Sequence, residues 1–319
     1  MKRVKQIKIL PGLTVRELVE QMKDSSVLGA GRVGEAASII TEMFSDERFT
    51  TFLSIAGPMV PGGLRNLIGD LVSEGFIDAI VTTGANIVHD IIEALGFRHV
   101  VGTFSADDAK LRRRRIGRIG DIYVEQAAFE ALEKFSYRVL NRIPETSRQR
   151  ITLGRLLQEI ASTLTDENSI LVKCRAANVP VFAPAFLDSM IGLNLWTYSQ
   201  TNKLVIDELQ DMNDLMQMGL DAKKSGAIML GGGVPKHHML IANLLREGVD
   251  LAVQITTDRP EPGGLSGATL EEAISWGKVR EEGRYATVIC DATICFPLII
   301  SAVIDEVNVR RKRREDKKK

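Results

Sequence analysis

The 319-residue sequence has few of the residue types that build disulfide-bonded or metal-bound scaffolds. It contains three cysteines, Cys174, Cys290 and Cys295, and no CxxC pair, which argues against a zinc site. The interpretation that this spacing favours is three core thiols in a reducing compartment. There are only four histidines, and the adjacent pair among them has no cysteine or carboxylate at ligand spacing, so we expect no metal.

Long apolar segments and a net charge are also absent. No stretch is long enough for a signal peptide or approaches the roughly 20 apolar residues of a membrane span. The 41 basic residues are balanced by 41 acidic ones, so no overall field draws the chain to a membrane or to nucleic acid. We therefore expect a cytoplasmic protein. The arginines at 112–115 and the basic tail at 309–319 are interpreted as a solvated face and a disordered tail, and nucleic-acid binding is the less favoured alternative.

What the sequence does contain is a repeated order of elements. Hydrophobic residues make up 45% of it, enough for a large core. Six short runs are apolar nearly throughout and lie at 51–57, 77–85, 178–185, 225–233, 251–258 and 286–293. Helix-length segments separate most of them, which predicts right-handed βαβ units and an α/β fold with a doubly wound, largely parallel sheet. We expect one domain over 1–319.

Helical additions complete the predicted domain. Thr14 and Glu17 have capping-box spacing and predict a helix start inside a helical N-terminal segment of about 1–48. The region 104–166 interrupts the alternation of strands and helices and is interpreted as a helical insertion.

The turns that follow the apolar runs are rich in glycine, threonine and serine. In a parallel sheet, ligands bind at the carboxyl ends of the strands, where these turns lie. None of the turns fits GxGxxG, and a run such as 231–233 also suits a plain tight turn. Six such turns should meet at one edge of the sheet, with Asp188 and Asp291 as possible acceptors for ribose hydroxyls, which favours a Rossmann-like dinucleotide site. A set of plain turns stays open as the alternative.

Two further stretches contain candidates for covalent and acid–base chemistry. His237, in PKHHMLIANLL, is either a solvated imidazole near a helix start or a base and hydrogen-bond partner. Lys278 is the last residue of EEAISWGK. Lys278 is either a solvated helix residue or a nucleophile, and a nucleophilic lysine needs a desolvated amine, which Trp276 could provide. Glu272 and Lys278 point to different faces of an ideal helix. We therefore expect the helix to end before Gly277 or the lysine stem to reach round.

The motifs EEAISWGK, GGGVPKHH, AVQITT, VICDATICFPLII and VTTGA together resemble deoxyhypusine synthase of the archaeal type, over about residues 14–308. The resemblance implies a homotetrameric aminobutyl transferase with NAD as its cofactor. It implies that spermidine is oxidised with NAD and that an enzyme lysine captures the resulting imine. The butylamine then passes to one lysine of the translation initiation factor five-A precursor, forming deoxyhypusine.

The resemblance also implies roles for individual positions. Lys278 is the covalent lysine, and His237 is both catalytic and substrate-binding. The other substrate-binding positions are Glu272, Trp276, Ser266 and Gly263. The NAD-binding positions are Thr83, Gly84, Asp188, Gly232, Thr257, Asp291 and Ala292.

The chain departs from eukaryotic members where they have carboxylates. Val88 and His89 replace two glutamates, and Leu193 and Leu265 replace aspartates that face the polyamine. A polycation site without these charge-assisted hydrogen bonds should bind more weakly, so the identity of the amine donor stays open. A homospermidine synthase-like transferase would differ only in its acceptor. A simple dehydrogenase would leave Lys278 without a role, and an inactive regulatory homologue would not need it.

Overall fold

The computed structural model describes residues 3–318, and side chains up to residue 308. The side chains of the basic tail at 309–319 lie outside the described residues. The helices are α1 (Val15–Ser25), α2 (Leu28–Ser45), α3 (Arg65–Ser73), α4 (Gly84–Ala94), α5 (Asp108–Arg113), α6 (Gln126–Arg142), α7 (Glu145–Arg148), α8 (Leu153–Thr163), α9 (Ile170–Ala176), α10 (Met190–Ser199), α11 (Glu208–Asp221), α12 (Gly233–Ala242), α13 (Leu270–Ser275) and α14 (Ala292–Lys318). Within 3–318, none of these is both long and apolar enough to cross a membrane.

The strands are β1 (Phe49–Ile55), β2 (Ala79–Thr82), β3 (Val100–Val101), β4 (Ile116–Ile119), β5 (Ile122–Glu125), β6 (Val181–Phe182), β7 (Lys224–Leu230), β8 (Val249–Thr256) and β9 (Val279–Ile289). All six apolar runs of the sequence therefore contain a strand. The chain divides into two compact units, the first made of Met1–Ser54 with Met216–Lys319 and the second of Ile55–Leu215. The assignment of 1–319 to a single domain stays a prediction.

The first unit is built on parallel strands with helices on both faces. Strand β8 pairs in parallel with β7 on one side and β9 on the other. Met229 of β7 is paired with Gln254 of β8, and the Gln254 side chain points to α12, where Lys236 donates to it. A Cβ built on Gly226 would instead meet Met43 of α2. Because side chains alternate along a strand and Gly226 is three residues from Met229, α2 and α12 cover opposite faces. The prediction of a doubly wound α/β fold is confirmed.

The predicted N-terminal helix start is confirmed in the same unit. The Thr14 hydroxyl accepts from the backbone N–H of Glu17, and the Glu17 carboxylate accepts from the backbone N–H of Thr14. These reciprocal bonds satisfy two of the donors that a helix start leaves unpaired.

The second unit contains a parallel pair and a small antiparallel sheet. Strand β2 pairs with β6, with Ile80 opposite Val181. Strands β3, β5 and β4 form the three-stranded antiparallel sheet in the order given. The sequence analysis placed only helices between 104 and 166 and missed β4 and β5. Their four-residue length and half-buried side chains leave too little apolar alternation to mark them.

One expectation about the cysteines is wrong. Cys290, at the end of β9, and Cys295, in the first turns of α14, form a disulfide with their Cα atoms 6.4 Å apart. A strand that passes directly into a helix brings two residues of this spacing within the Cα separation that a disulfide needs. Cys174 is a free, buried thiol as expected.

Candidate active site

Lys278 is placed by the way in which helix α13 ends. Gly277 has a left-handed backbone, with φ of +65°, and its N–H donates to the Ile274 carbonyl at 2.9 Å. The Lys278 N–H donates to the Ala273 carbonyl at 3.0 Å. These two bonds form a Schellman motif, which reverses the chain direction immediately after a helix. Of the two alternatives expected from the sequence, the one observed is a helix that ends before Gly277, and Lys278 leads directly into β9.

The reversal brings Lys278 against two of the predicted site residues. Its Nζ lies 3.2 Å from Nε2 of His237, on α12. The same Nζ lies 5.3 Å from the centroid of the Trp276 ring, whose side chain is 64% exposed. A pocket of about 220 Å³ opens here, and its lining includes Lys236, His237, Leu265, Glu272, Trp276 and Lys278. An amine facing an imidazole and an aromatic wall is suited to nucleophilic chemistry.

The protonation state of His237 fits a role as proton acceptor. Burial lowers the pKa of His237 below its usual value, and the positive charges of Lys278 and Lys236 lower it further. The imidazole is therefore neutral at pH 7. In the tautomer that carries its proton on Nδ1, the Nε2 lone pair faces the Lys278 amine and can accept a proton from it.

Two buried polar residues that the sequence analysis did not select lie beside this pair. Lys236 is only 4% exposed, and its Nζ donates to Gln254 Oε1 at 2.9 Å and to the carbonyls of Leu265 and Ala268. Burial lowers the pKa of Lys236 to about 8. Gln254 is fully buried, and its Nε2 donates to the Ser266 carbonyl at 2.8 Å. The one signal in the sequence was Gln254, a polar residue inside an apolar strand.

The remaining predicted substrate-binding residues differ in whether they line the pocket. Glu272 lies in the first turn of α13, where the Thr269 hydroxyl caps its N–H at 3.2 Å, and its exposed side chain lines the pocket. Ser266 contacts Gly232, since a Cβ on that glycine would lie 2.4 Å from the Ser266 Cα. Gly263 lies in an exposed turn with φ of +72° and is not among the residues that line the pocket.

The predicted NAD positions of the first unit lie at the carboxyl ends of its strands. Gly232 follows β7, Thr257 follows β8, and Asp291 with Ala292 joins β9 to α14. Asp291 Oδ1 accepts from the N–H and the hydroxyl of Thr293, both at 2.7 Å. Asp291 Oδ2 takes no hydrogen bond from the described residues and is available to a ligand hydroxyl. The tight approach at Gly232 and this carboxylate fit a dinucleotide.

The other predicted NAD positions come together within the second unit. The Thr83 hydroxyl caps α4 by accepting from the Asn86 N–H at 3.3 Å. Gly84 is buried, and a Cβ there would lie 2.4 Å from Ser189 Oγ, next in sequence to Asp188. The side chain of Asp188 is exposed. A glycine is therefore required where the two turns meet.

The four positions that depart from eukaryotic members lie in different surroundings. Val88 is buried on α4, and the half-buried His89 places its Nδ1 2.9 Å from His99 Nε2. Leu193 on α10 is 48% exposed, and Leu265 is 47% exposed at the pocket. Exposed leucines cannot supply the contacts to ammonium groups that carboxylates would.

Comparisons with known proteins agree on one family. The family model for deoxyhypusine synthase matches residues 17–303. A protein of Methanothermobacter thermautotrophicus named "Probable deoxyhypusine synthase" is 43% identical over 95% of this chain and 98% of its own. A Methanosarcina acetivorans protein named "Probable deoxyhypusine synthase 1" is 45% identical over 96% of both chains. A crystal structure from Entamoeba histolytica, provisionally named a deoxyhypusine synthase, matches with TM-score 0.67 and 24% identity over 91% of this chain and 93% of its own, which shows a shared fold.

The buried Lys236 should give the protein a measurable pH dependence of stability. The pKa of Lys236 is about 8 in the folded protein, against an ordinary value of 10.5. Below pH 8 both states hold the proton and the burial cost of the ammonium is complete. Between pH 8 and 10.5 the folded state releases its proton first, so stability should rise by up to about 3 kcal/mol relative to Lys236→Met. Denaturant unfolding of both proteins across this range, with the exposed Lys223→Met as control, measures the difference. Parallel curves for wild type and Lys236→Met would contradict it.

Proposed function

Because the chain belongs to the deoxyhypusine synthase family, we propose that it transfers the aminobutyl group of spermidine to a specific lysine of the translation initiation factor five-A precursor. The transfer depends on NAD and passes through an imine on Lys278. The observation that supports this most directly is the position of Lys278 Nζ, which lies 3.2 Å from Nε2 of His237, a neutral imidazole, and 5.3 Å from the centroid of the Trp276 ring. A simple dehydrogenase would have no use for such an amine.

The residues of the pocket account for the nucleophilic steps. His237 Nε2 takes a proton from the Lys278 ammonium, and the neutral amine attacks the carbon of the oxidised donor. The C–N bond to the leaving diaminopropane then breaks as the Lys278 imine forms. The acceptor lysine attacks that imine in turn, and Lys278 leaves as a free amine. His237 is placed to return the proton.

NAD fits the carboxyl ends of the strands, and when bound it would accept a hydride from the donor and return it to the product. Gly232 and the turn after β8 with Thr257 would approach its phosphates through backbone groups. Asp291 would accept from a ribose hydroxyl through Oδ2. Ala292, Thr83, Gly84 and Asp188 complete the proposed contacts. The substrate-binding roles of Glu272, Trp276, Ser266 and Gly263 belong to the same proposal.

The enzyme would work as a homotetramer in the cytoplasm, with the precursor protein as its macromolecular partner. A related aminobutyl transferase with another donor or a small amine acceptor, similar to homospermidine synthase, is the second candidate. The exposed Leu265 at the pocket favours it, because the carboxylate expected there for a polycation is missing. Labelled spermidine with NAD, offered the precursor in one reaction and putrescine in another, separates the two by the product that gains the label.

Lys278→Arg should abolish transfer to any acceptor. A guanidinium stays protonated and cannot form the imine. Borohydride reduction in the presence of NAD and labelled spermidine should label the wild type and Lys223→Arg, a control at an exposed lysine, but not Lys278→Arg. Equal labelling of all three proteins would remove Lys278 from the mechanism.

His237→Ala should slow turnover by about 10²- to 10⁴-fold, the range of a general acid–base contribution, while the protein stays folded. His238→Ala, one residue further along α12 and outside the residues that line the pocket, is the matched control. Steady-state rates and circular dichroism of both variants provide the comparison. A loss well under tenfold in His237→Ala would make His237 an ordinary residue of the helix start.

Leu265→Asp should distinguish a weakened spermidine site from a site adapted to another amine. If spermidine is the donor, the new carboxylate should add a charge-assisted hydrogen bond of about 1.5 to 3 kcal/mol and lower KM about tenfold or more. Kinetics with spermidine, putrescine, homospermidine and agmatine measure this, and Leu193→Asp is the parallel variant. Lower activity of Leu265→Asp with spermidine, together with higher wild-type activity on another amine, would overturn the spermidine assignment.

A further inference from the structure

We propose that Lys236 and Gln254 form one buried clamp that holds the loop 263–268 in place at the Lys278 pocket. Both act as positioning residues and neither is required to touch the reacting atoms. The clamp is an inference from the hydrogen bonds of the first unit alone. Its importance for turnover rests on the function proposed above.

The loop has few other attachments. Inside it, the N–H groups of Gly267 and Ala268 both donate to the Gly264 carbonyl, which only closes a local turn. Among the described residues, the hydrogen bonds that reach 263–268 from other elements come from the two clamp side chains. Residues 257–265 are all exposed, so the segment leading to the clamp has little packing to hold it. Without the clamp, the loop would lose its position, and its internal turn would open more often.

The clamp side chains use all their polar atoms. The Lys236 ammonium has three N–H donors, and three acceptors surround it: Gln254 Oε1 and the carbonyls of Leu265 and Ala268. The Gln254 amide then donates to the carbonyls of Ser266 and Gly231. Three of the last four loop carbonyls are thus bound by two buried side chains. Buried donors in a fully satisfied network fix a single geometry.

The position of the loop matters because two of its residues contact the pocket and the turn after β7. Leu265 lines the pocket beside Lys278, and Ser266 contacts Gly232 in the turn after β7. A shift of the loop would therefore change the amine pocket and the glycine turn together. Gln254 ties these two places directly, because the same amide group bonds Gly231 and Ser266.

Hydrogen–deuterium exchange of the full-length protein without ligands tests the clamp. In Lys236→Met, the amides of Gly267 and Ala268, which donate to the Gly264 carbonyl within the loop, should exchange about tenfold faster than in wild type, whereas those of β7 should not change. Lys223→Met, at an exposed lysine of the same unit, should behave as wild type. Loop exchange within twofold of wild type in Lys236→Met would overturn the clamp. If Lys236→Met does not fold, the exchange of the same loop amides is measured in Gln254→Met and compared with wild type in the same way.

The double variant tests whether the two residues act as one device. If they do, Lys236→Met combined with Gln254→Met should loosen the loop no more than the stronger single variant. Independent effects that multiply would contradict a shared clamp.

Kinetics separate positioning from chemistry. Lys236→Met should raise KM for the donor and for NAD about tenfold or more, while borohydride still traps the adduct on Lys278 at saturating donor. Loss of the adduct from a variant that still folds would mean that Lys236 acts in the chemical step, against the proposal. If the wild type itself forms no adduct, the proposed function fails, and the exchange experiment still decides the clamp.

Discussion

The site depends on a single left-handed residue, Gly277, at the end of α13. Its φ of +65° closes the Schellman motif that turns the chain back and aims Lys278 at His237. A residue with a Cβ adopts this conformation only at a cost in free energy, so the glycine and the lysine work as a pair. Had α13 continued, Lys278 would have pointed away from the face that Glu272 occupies. The geometry of the Lys278–His237 pair is thus set by the end of a helix.

Much of the first unit was predictable because its signals are local. A strand buried on both faces must be apolar throughout, and the apolar runs that contain β7 and β8 stand out for that reason. Capping residues such as Thr14 satisfy donors within three residues, so they too can be found without knowledge of the fold. Prediction failed where the signal is short, as in the antiparallel strands β4 and β5, and where it depends on how a strand joins a helix, as in the disulfide of Cys290 and Cys295.

Sequence reasoning selected candidate residues with unusual chemistry and passed over the buried polar residues near them. Lys278 and His237 stand in distinctive motifs, and the structure brings them to 3.2 Å. Lys236 was passed over because a lysine near a helix start is normally solvated, and its burial follows from a loop that comes back 29 residues later to supply a carbonyl. Gln254 gave a weak sign, since an amide in a buried strand requires partners.

Two lysines in one pocket divide their work through their surroundings. Lys236 is enclosed by three neutral acceptors, so as an ammonium all three of its N–H groups are engaged. Lys278 faces an imidazole whose lone pair can remove a proton, next to the open face of Trp276. Burial is the main cause of the lowered pKa of Lys236; the Glu272 carboxylate raises that pKa, and the positive charge of Lys278 lowers it by a smaller amount. The two amines therefore differ in their neighbours, because Lys236 Nζ has three oxygen acceptors whereas Lys278 Nζ lies 3.2 Å from an imidazole nitrogen.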